Sequence, residues 1–250
     1  MSKHCIGIIG TDTDVGKTLI TALIGKYLKL NKKEPLLIKT LQTGCYKNVN
    51  DDVLIVPDIE KYKDVDSELH TDSCYHFILA CSPHLALEKE NKSLLAEKLT
   101  KDILQKIEKS KQDIILIEGT GGLMTPLNSQ ESFADVFSII ANKVKFSLIL
   151  IVENKLGALN HALLSYEKIK SMNIPLLGFI TTETGSRDRN DDLENEIKTN
   201  NIKYLKEYFS CKCLGTLPYN KDIHSLDKEK RQKAYGELAK HISIKNLLDI

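Results

Sequence analysis

A glycine-bounded loop between a strand and a helix constrains this chain more than any other feature. The loop, Gly10–Thr18 (GTDTDVGKT), follows the apolar run Cys5–Ile9, and a helical pattern of apolar residues begins at Leu19. Such a loop turns backbone N–H groups toward a concavity at a helix N-terminus, where phosphate is favoured. Lys17 is placed to reach the β- and γ-phosphates of a nucleotide, and Thr18 to bind Mg²⁺. The loop therefore predicts a bound nucleoside triphosphate.

This loop differs from the usual phosphate-binding pattern in length and in charge. Five residues, Thr11 to Val15, separate its two glycines, whereas the usual pattern has four residues before Gly-Lys-[Ser/Thr]. Two of the five, Asp12 and Asp14, are acidic. Carboxylates beside a triphosphate are unfavourable unless a cation or an amine lies nearby. The loop thus predicts a second ligand in addition to the nucleotide.

Apolar runs typical of strands alternate with helical patterns along the chain. The alternation favours an α/β fold, with a mostly parallel, doubly wound sheet flanked by helices in a single domain of residues 1–250. We interpret the polar stretches Tyr46–Asp72 and Gly185–Asn201 as excursions or loops. The predicted strands are Cys5–Ile9, Pro35–Ile38, Ile114–Ile117, Ser147–Val152, Leu176–Ile180 and Cys213–Thr216, and the predicted helices are Thr18–Leu30, Ser93–Ser110, Ser132–Asn142 and Gly157–Met172.

Charge and composition argue against several classes of partner. The net charge of +1 gives no electrostatic reason to expect binding to nucleic acid or to an anionic membrane. No apolar run approaches the about 18 residues of a membrane span, and the N-terminus has no secretory signal pattern. The six cysteines, including the close pair Cys211 and Cys213, lack zinc-site spacing. We therefore expect a cytoplasmic protein with reduced cysteines.

Three further motifs follow predicted strands, where the ligands of such sheets bind. Glu118 comes after four apolar residues and precedes glycines, which fits a carboxylate that binds Mg²⁺ or its water shell. Lys39 has two interpretations, a charge that neutralises a transferring phosphoryl group or, favoured on the motif alone, a solvated lysine. Thr43 offers a hydroxyl to a small polar substrate. Asp51-Asp52 forms a solvated turn or supplies one metal ligand.

Two helix starts complete the candidate set. Residues Gly157 to Asn160 open a predicted helix, whose free N–H groups suit a carboxylate. Ser82-Pro83-His84 opens another helical segment, with Pro in its first turn, and plain capping explains this motif as well as a binding role does.

Taken together, these motifs resemble those of dethiobiotin synthetases. The family's long acidic phosphate loop matches Gly10–Thr18 throughout, its Lys-x-x-x-[Ser/Thr]-Gly element matches Lys39–Gly44, and its Glu-Gly-x-Gly-Gly element matches Glu118–Gly122. Ser82–His84 and Lys155–Ala162 match as well. The resemblance runs in order from about Ile6 to Tyr219. It implies a P-loop NTPase-like fold.

The resemblance also implies a reaction, ATP-dependent closure of a cyclic urea. Dethiobiotin synthetases join CO₂ to two neighbouring amines of 7,8-diaminopelargonate, with MgATP as co-substrate. One amine forms a carbamate, ATP phosphorylates it to a mixed anhydride, and the second amine attacks the carbonyl as phosphate leaves. The family is homodimeric, and the substrate's carboxylate tail binds across the dimer interface.

Residue roles follow from the resemblance, position by position. The catalytic group comprises Thr13, Asp14, Lys17 and Lys39, and the Mg²⁺ ligands are Thr18, Asp52 and Glu118. The nucleotide-binding residues are Asp14, Val15, Gly16, Lys17, Thr18, Leu19, Asp52, Glu118, Gly119, Thr120, Gly121, Thr182, Glu183, Pro218 and Tyr219. The substrate-binding residues are Thr13, Lys39, Thr43, Ser82, Gly157, Ala158, Leu159 and Asn160.

Some positions depart from the family pattern. Thr40 stands where a proline is common, and Asp51-Asp52-Val53 stands in place of Ser-Asp-Ala, so the choice of Asp52 over Asp51 rests on register. Thr182-Glu183 replaces an adenine-recognising Asn-Asp pair. Because threonine lacks the amide donor of asparagine, we expect looser discrimination between bases.

Three alternatives remain open from the sequence. A partitioning-type ATPase would carry lysine at the position of Asp12. A related amide-forming synthetase would need ammonia delivery or a glutaminase domain, for which 250 residues leave little room. A small-molecule kinase has no evident need for Asp12 and Asp14 beside the phosphates.

Overall fold

A sheet of seven parallel strands forms the centre of the computed structural model, which describes residues 3–48, 52–185 and 192–243. Two further short strands pair antiparallel in a separate hairpin. The strands are β1 (His4–Gly10), β2 (Pro35–Gln42), β3 (Tyr46–Lys47), β4 (Leu54–Ile55), β5 (His70–His76), β6 (Ile114–Gly122), β7 (Lys145–Glu153), β8 (Leu176–Thr182) and β9 (Lys212–Leu217). The sheet order is β5-β2-β6-β1-β7-β8-β9.

Helices cover both faces of this sheet. They are α1 (Lys17–Leu30), α2 (Pro57–Val65), α3 (Pro83–Lys89), α4 (Ala96–Lys109), α5 (Phe133–Ala141), α6 (Ala158–Ser171), α7 (Asp192–Phe209) and α8 (Lys228–Ala239), with a 3₁₀ turn at Lys221–His224. Among the described residues, none of these helices is both long and apolar enough to cross a membrane.

Two apolar clusters, one on each face, make up the core. Strand β1 is buried along its whole length, and its side chains alternate between the clusters, with Ile6 and Ile8 in one and Cys5 and Ile9 in the other. Such alternation follows from the two-residue period of a strand. Helices α1, α2 and α8 contribute to the first cluster, and α4, α5, α6 and α7 to the second.

The predicted fold class is confirmed, and so are the six predicted strands and four predicted helices, whose ends shift by a few residues. Two predictions about polar stretches are wrong. Tyr46–Asp72 contains β3, β4, α2 and the start of β5, and Gly185–Asn201 contains the first part of α7. The sequence pattern of these elements is weak because each buries few residues. In α2 the buried residues are Tyr62 and Val65, and β5 lies at the sheet edge. The single-domain assignment of residues 1–250 stays a prediction.

An aromatic cluster under α7 offers a test of the core. The ring of Phe209 lies 4.4 Å from that of Tyr166 and 5.5 Å from that of Phe179, measured between centroids, and Phe209 is buried. We expect Phe209→Ala to lower the free energy of unfolding by about 3–5 kcal/mol in urea titrations, because it leaves a cavity. Leu226→Ala, at a fully exposed position, serves as the control, and an equally small effect of both substitutions would contradict this packing.

Candidate active site

The phosphate-binding loop is fixed by contacts within the protein. Gly16, the residue before α1, has φ 93°, a left-handed conformation that glycine adopts readily. The Lys17 ammonium is buried and donates a hydrogen bond to the Asp12 carbonyl at 2.6 Å. The Asp12 carboxylate accepts from the Thr13 N–H. The loop therefore encloses its own lysine, and of its two acids Asp14 faces the neighbouring cavity.

Lys39 and Glu118 are register partners on the adjacent parallel strands β2 and β6, so their side chains leave the same face of the sheet. Lys39 lies within β2, because that strand continues to Gln42. Its side chain is only 4 % exposed, and its Nζ lies 2.8 Å from Glu118 Oε1 and 3.1 Å from the Gly119 carbonyl oxygen. The interpretation of Lys39 as a solvated lysine is therefore wrong.

Both carboxylate oxygens of Glu118 accept hydrogen bonds, and the side chain is fully buried. Oε1 accepts from the Thr18 hydroxyl at 2.9 Å and from Lys39, while Oε2 accepts from the Tyr62 hydroxyl at 2.5 Å. A buried carboxylate needs such partners, since an unpaired buried charge is strongly unfavourable. The contacts join β6 to α1, β2 and α2.

The predicted metal ligand Asp52 lies away from this cluster, and Asp58 lies within it. Asp58, in the first turn of α2, is 2.6 Å from Lys39 Nζ. Asp52 lies at the exposed β3–β4 hairpin and pairs with Lys47. The physical reason is that α2 begins only at Pro57, so the chain turns back to the sheet after Asp52. The alternative candidate Asp51 lies outside the described residues.

The charges of this cluster control one another. Burial raises the pKa of Glu118, but Lys39 and the three hydrogen bonds together outweigh burial and hold it below its usual value. Burial also raises the pKa of Asp58, and there the raising effect prevails over Lys39. For Lys39, burial lowers the pKa, but Glu118 and Asp58 raise it by more. Lys39 thus stays a cation between two carboxyl groups.

Lys17 responds differently. Burial, and then the nearby charge of Lys39, lower the pKa of Lys17 to about 8, against the opposing effect of the carboxylates. A phosphate group in the loop would reverse this trend, because an opposite charge favours the protonated amine.

The oxygen donors suit Mg²⁺ delivered with a nucleotide. The Thr18 hydroxyl contacts both Glu118 and Asp58, so three hard oxygen ligands converge beside the phosphate loop. Within residues 3–48, 52–185 and 192–243, no group of three or more His, Cys, Asp or Glu side chains is arranged to hold a metal ion. Mg²⁺ typically takes one or two carboxylates and completes its shell with water and phosphate oxygens. The donor set therefore fits a metal bound together with phosphates.

These groups open into a cavity of about 970 Å³. Its lining includes Gln42, Thr43, Ser82 and Pro83, and also Pro218 and Tyr219. Most of the predicted site residues line it: Thr13, Asp14, Gly16, Lys17, Thr18, Leu19, Lys39, Thr43, Ser82, Glu118, Thr120, Gly121, Thr182, Glu183, Pro218 and Tyr219. Val15, Gly119 and Asp52 do not line the cavity. The carbonyl groups of Val15 and Gly119 accept hydrogen bonds from the lining residues Thr182 and Lys39.

Thr182 and Glu183, where the resemblance leads us to expect an Asn-Asp pair, make contacts within the protein. The Thr182 hydroxyl donates to the Val15 carbonyl at 2.8 Å, and Thr182 Cγ2 would lie 3.3 Å from a Cβ placed on Gly16. Glu183 pairs with Lys198 at 3.2 Å. Thr182 therefore supports the phosphate loop, and its hydroxyl hydrogen is engaged there.

The predicted tail-binding residues stand apart from this cavity. Gly157 precedes α6 with φ 87°, and Gly157 and Asn160 are exposed, whereas Ala158 is buried and Leu159 half-buried. None of the four lines the cavity described here. Within this one chain, the structure does not bring them together with Thr43 and Ser82.

The sequence analysis overlooked two residues of the site, Asp58 and Tyr62. Both lie on the inner side of α2, four residues apart, a spacing that places side chains on one helix face. A proline followed by an acidic residue is a helix-start signal, and Pro57-Asp58 supplied one. The signal lies within Tyr46–Asp72, a polar stretch that the sequence analysis interpreted as an excursion or loop.

Comparisons with known proteins agree with this geometry. A family model described as an AAA domain matches residues 4–226. The ATP-dependent dethiobiotin synthetase of Marinobacter nauticus is 31% identical over 225 residues, covering 88% of this chain and 89% of that protein. That of Wigglesworthia glossinidia brevipalpis is 30% identical over 249 residues, covering 96% and 97%.

The chain belongs to the dethiobiotin synthetase family. The resemblance inferred from the motifs is thereby confirmed. Among solved structures, the cell division ATPase MinD of Pyrococcus furiosus has a TM-score of 0.59 at 19% identity and covers 98% of this chain and 99% of that one. At this identity the likeness shows a shared fold.

The contacts of Thr182 lead to a prediction about base selectivity. Asparagine offers both a donor and an acceptor to a base, whereas Thr182 has its one hydrogen engaged by Val15. At about 0.5–1.5 kcal/mol per hydrogen bond, we expect the preference in kcat/KM for ATP over CTP and GTP to be roughly tenfold smaller than in a family member with asparagine there. Equal preferences in parallel assays would contradict the prediction.

Proposed function

We propose that this chain is an ATP-dependent dethiobiotin synthetase, a cyclo-ligase that converts 7,8-diaminopelargonate, CO₂ and ATP to dethiobiotin, ADP and phosphate. The observation that carries the proposal is the buried cluster of Lys39, Asp58 and Glu118. It lies against the loop residue Thr18 and opens into a cavity with room for a nucleotide and a second substrate.

Nucleotide binding falls to the phosphate loop and the wall beyond it. Backbone N–H groups from Val15 to Leu19 would bind the phosphates at the N-terminus of α1, with the Lys17 ammonium directed at the β- and γ-phosphates. Glu118, Gly119, Thr120 and Gly121 form the adjoining strand end. The base would lie near Thr182, Glu183, Pro218 and Tyr219, which line the same cavity.

Mg²⁺ binding is assigned to Thr18, Asp58 and Glu118, with Asp58 in place of Asp52. When bound, Mg²⁺ would neutralise charge on the β- and γ-phosphates and orient the γ-phosphoryl group. Of the protein groups, Glu118 is ionised and held at both oxygens, and Asp58 is kept beside it by Lys39.

The second substrate would lie near Thr13, Asp14, Thr43 and Ser82, which all line the cavity. Asp14 complements the positive charge of a diamine, which accounts for an acid in a phosphate loop. The Thr13 and Thr43 hydroxyls offer hydrogen bonds to the amines or the carbamate. Lys17 and Lys39 line the same cavity, and the γ-phosphate would lie beside them.

The reaction then needs two group transfers. One amine adds to CO₂ and loses a proton, which gives a carbamate. A carbamate oxygen attacks the γ-phosphorus and ADP leaves. The second amine attacks the carbonyl carbon of the anhydride, the C–O bond breaks, and phosphate leaves as the ring closes. Lys17 and Lys39 act by stabilising negative charge in both transfers.

A homodimer would complete the substrate site. Gly157, Ala158, Leu159 and Asn160 lie outside the cavity of their own chain, and exposed Leu156 adjoins them. A partner subunit's α6 could supply its N–H groups to the substrate carboxylate. We place the protein in the cytoplasm, in keeping with its free cysteines.

The activity is tested by adding labelled bicarbonate, MgATP and 7,8-diaminopelargonate to the purified protein. We expect labelled dethiobiotin in an amount equal to the ADP released. ATP hydrolysis without labelled product would overturn the proposal, and so would product formation in the absence of the diamine.

Lys39→Ala tests the fixed positive charge. We expect kcat to fall by roughly 10²-fold or more, as for loss of an electrostatic stabiliser, with ATP binding largely kept because Lys17 and the loop remain. The measurement is steady-state kinetics with calorimetric ATP titration, well below the unfolding midpoint of the variant. Lys47→Ala, which removes an exposed paired lysine, is the control. An unchanged kcat would exclude Lys39 from the mechanism.

Asp58→Ala and Asp52→Ala distinguish the two candidate metal ligands. Because Asp58 contacts Lys39 in the buried cluster and Asp52 pairs with Lys47 at the surface, we expect only Asp58→Ala to reduce kcat/KM for MgATP, by about 10²-fold. Asp52→Ala is expected to stay within about twofold of the parent, as surface substitutions usually have small effects. The reverse outcome would restore the assignment of Asp52.

A further inference from the structure

Tyr62 is a buried side chain that contacts Glu118 and carries no role so far. It lies on α2, four residues after Asp58, and its ring belongs to the apolar cluster formed by α1, α2 and α8. Its hydroxyl donates to Glu118 Oε2 at 2.5 Å. A phenylalanine would fill the same space in that cluster, so the hydroxyl calls for an explanation of its own.

The two carboxylate oxygens of Glu118 have different hydrogen-bond partners. Oε1 accepts from Thr18 and from Lys39, and Oε2 is occupied by Tyr62. The last torsion of a glutamate side chain is soft and roughly two-fold. Lys39 and Thr18 both bind Oε1, so their bonds fix the position of that oxygen. These two bonds restrict rotation of the carboxylate plane less. The bond to Oε2 fixes this plane.

We propose that Tyr62 is a positioning residue that holds the Glu118 carboxylate in the orientation needed to bind Mg²⁺ with the nucleotide. The inference rests on the proposed function, in which Glu118 takes part in metal binding. Groups that hydrogen-bond to metal ligands orient them, and their loss typically reduces metal affinity or activity by 10–100-fold. Tyr62 acts only through Glu118 and does not line the cavity.

Helix α2 supplies both a carboxylate of the cluster and the hydroxyl that contacts Glu118. Asp58 and Tyr62 share one face of α2, so a single helix supplies a carboxylate to the cluster and also orients the carboxylate of β6. Any shift of α2 would change both at once. The placement of the metal ligands is thereby linked to the packing of α2 against α1.

Tyr62→Phe tests the proposal, and Tyr235→Phe is its matched control. Tyr235 is equally buried, and its hydroxyl donates at 2.6 Å to Asp64, a carboxylate of the same helix that lies outside the Glu118 cluster. Both substitutions remove a hydroxyl–carboxylate bond next to α2, and Tyr235→Phe also removes the bond that its hydroxyl accepts from Lys61. Loss of packing or stability alone should therefore lower the melting temperature of either variant without a selective change in Mg²⁺ dependence.

Three quantities are measured for each protein: the Mg²⁺ concentration at half-maximal velocity, the affinity for ADP by calorimetry with Mg²⁺ and with EDTA, and the melting temperature. For Tyr62→Phe we expect the half-maximal Mg²⁺ concentration to rise by about tenfold or more. ADP affinity should weaken with Mg²⁺ present and stay unchanged in EDTA. Tyr235→Phe should lower the melting temperature without altering the Mg²⁺ dependence. All titrations are run well below the melting temperature of each variant, so that a loss of stability does not affect the measured Mg²⁺ dependence.

Other outcomes overturn the proposal. A Mg²⁺ dependence of Tyr62→Phe equal to that of the parent leaves Tyr62 with a packing role only, and so does an equal loss of ADP affinity with and without Mg²⁺. Both can occur while the parent still forms dethiobiotin, in which case the proposed function stands. If ADP binding to the parent itself is independent of Mg²⁺, the metal assignment and this inference fail together.

Discussion

The ion pair between Lys39 and Glu118 is the interaction on which the rest of the site depends. It joins two adjacent parallel strands in register and lies in the interior. Removing one partner of such a pair leaves an uncompensated buried charge, which costs about 3–5 kcal/mol. The additional bonds from Thr18, Tyr62 and Asp58 supply the partners that make burial of these charges tolerable. Helices α1 and α2 are thereby fastened to the sheet at the site.

Burial of this pair also explains how the site keeps its charges. Carboxyl groups in a nonpolar interior tend to become neutral, and the higher pKa of Asp58 shows this tendency. At Glu118, the charge of Lys39 and the hydrogen bonds from Lys39, Tyr62 and Thr18 together outweigh burial and hold the pKa below its usual value. The pKa values of the two acids thus shift in opposite directions, with the Lys39 cation between them. Such unequal neighbours are a frequent property of functional sites.

The sequence predicted the parts of this site that follow strands and failed at the part carried by a helix. Glu118, Lys39 and the phosphate loop each adjoin a continuous apolar run, and such runs are strong signals. Asp58 and Tyr62 lie on a short helix that buries only two residues, so its pattern resembled a polar loop. The burial of Lys39 could not be predicted either, because it depends on a pairing between strands distant in sequence. The prediction of Asp52 rested on motif register alone. Motif register does not reveal that a β3–β4 hairpin precedes α2.

The hydrogen bond from Thr182 to the Val15 carbonyl affects the conformational entropy of the phosphate loop. Together with the bond from Lys17 to the Asp12 carbonyl, it ties the phosphate loop to β8 and to itself through contacts of the protein alone. A loop held by such contacts before a ligand arrives loses little conformational freedom on binding, and preorganisation of this kind favours affinity. At this position the Thr182 side chain holds the phosphate end of the pocket through the Val15 carbonyl. Because the same hydroxyl hydrogen is then unavailable to a base, we expect a stiffer loop and weaker base recognition to arise from one side chain.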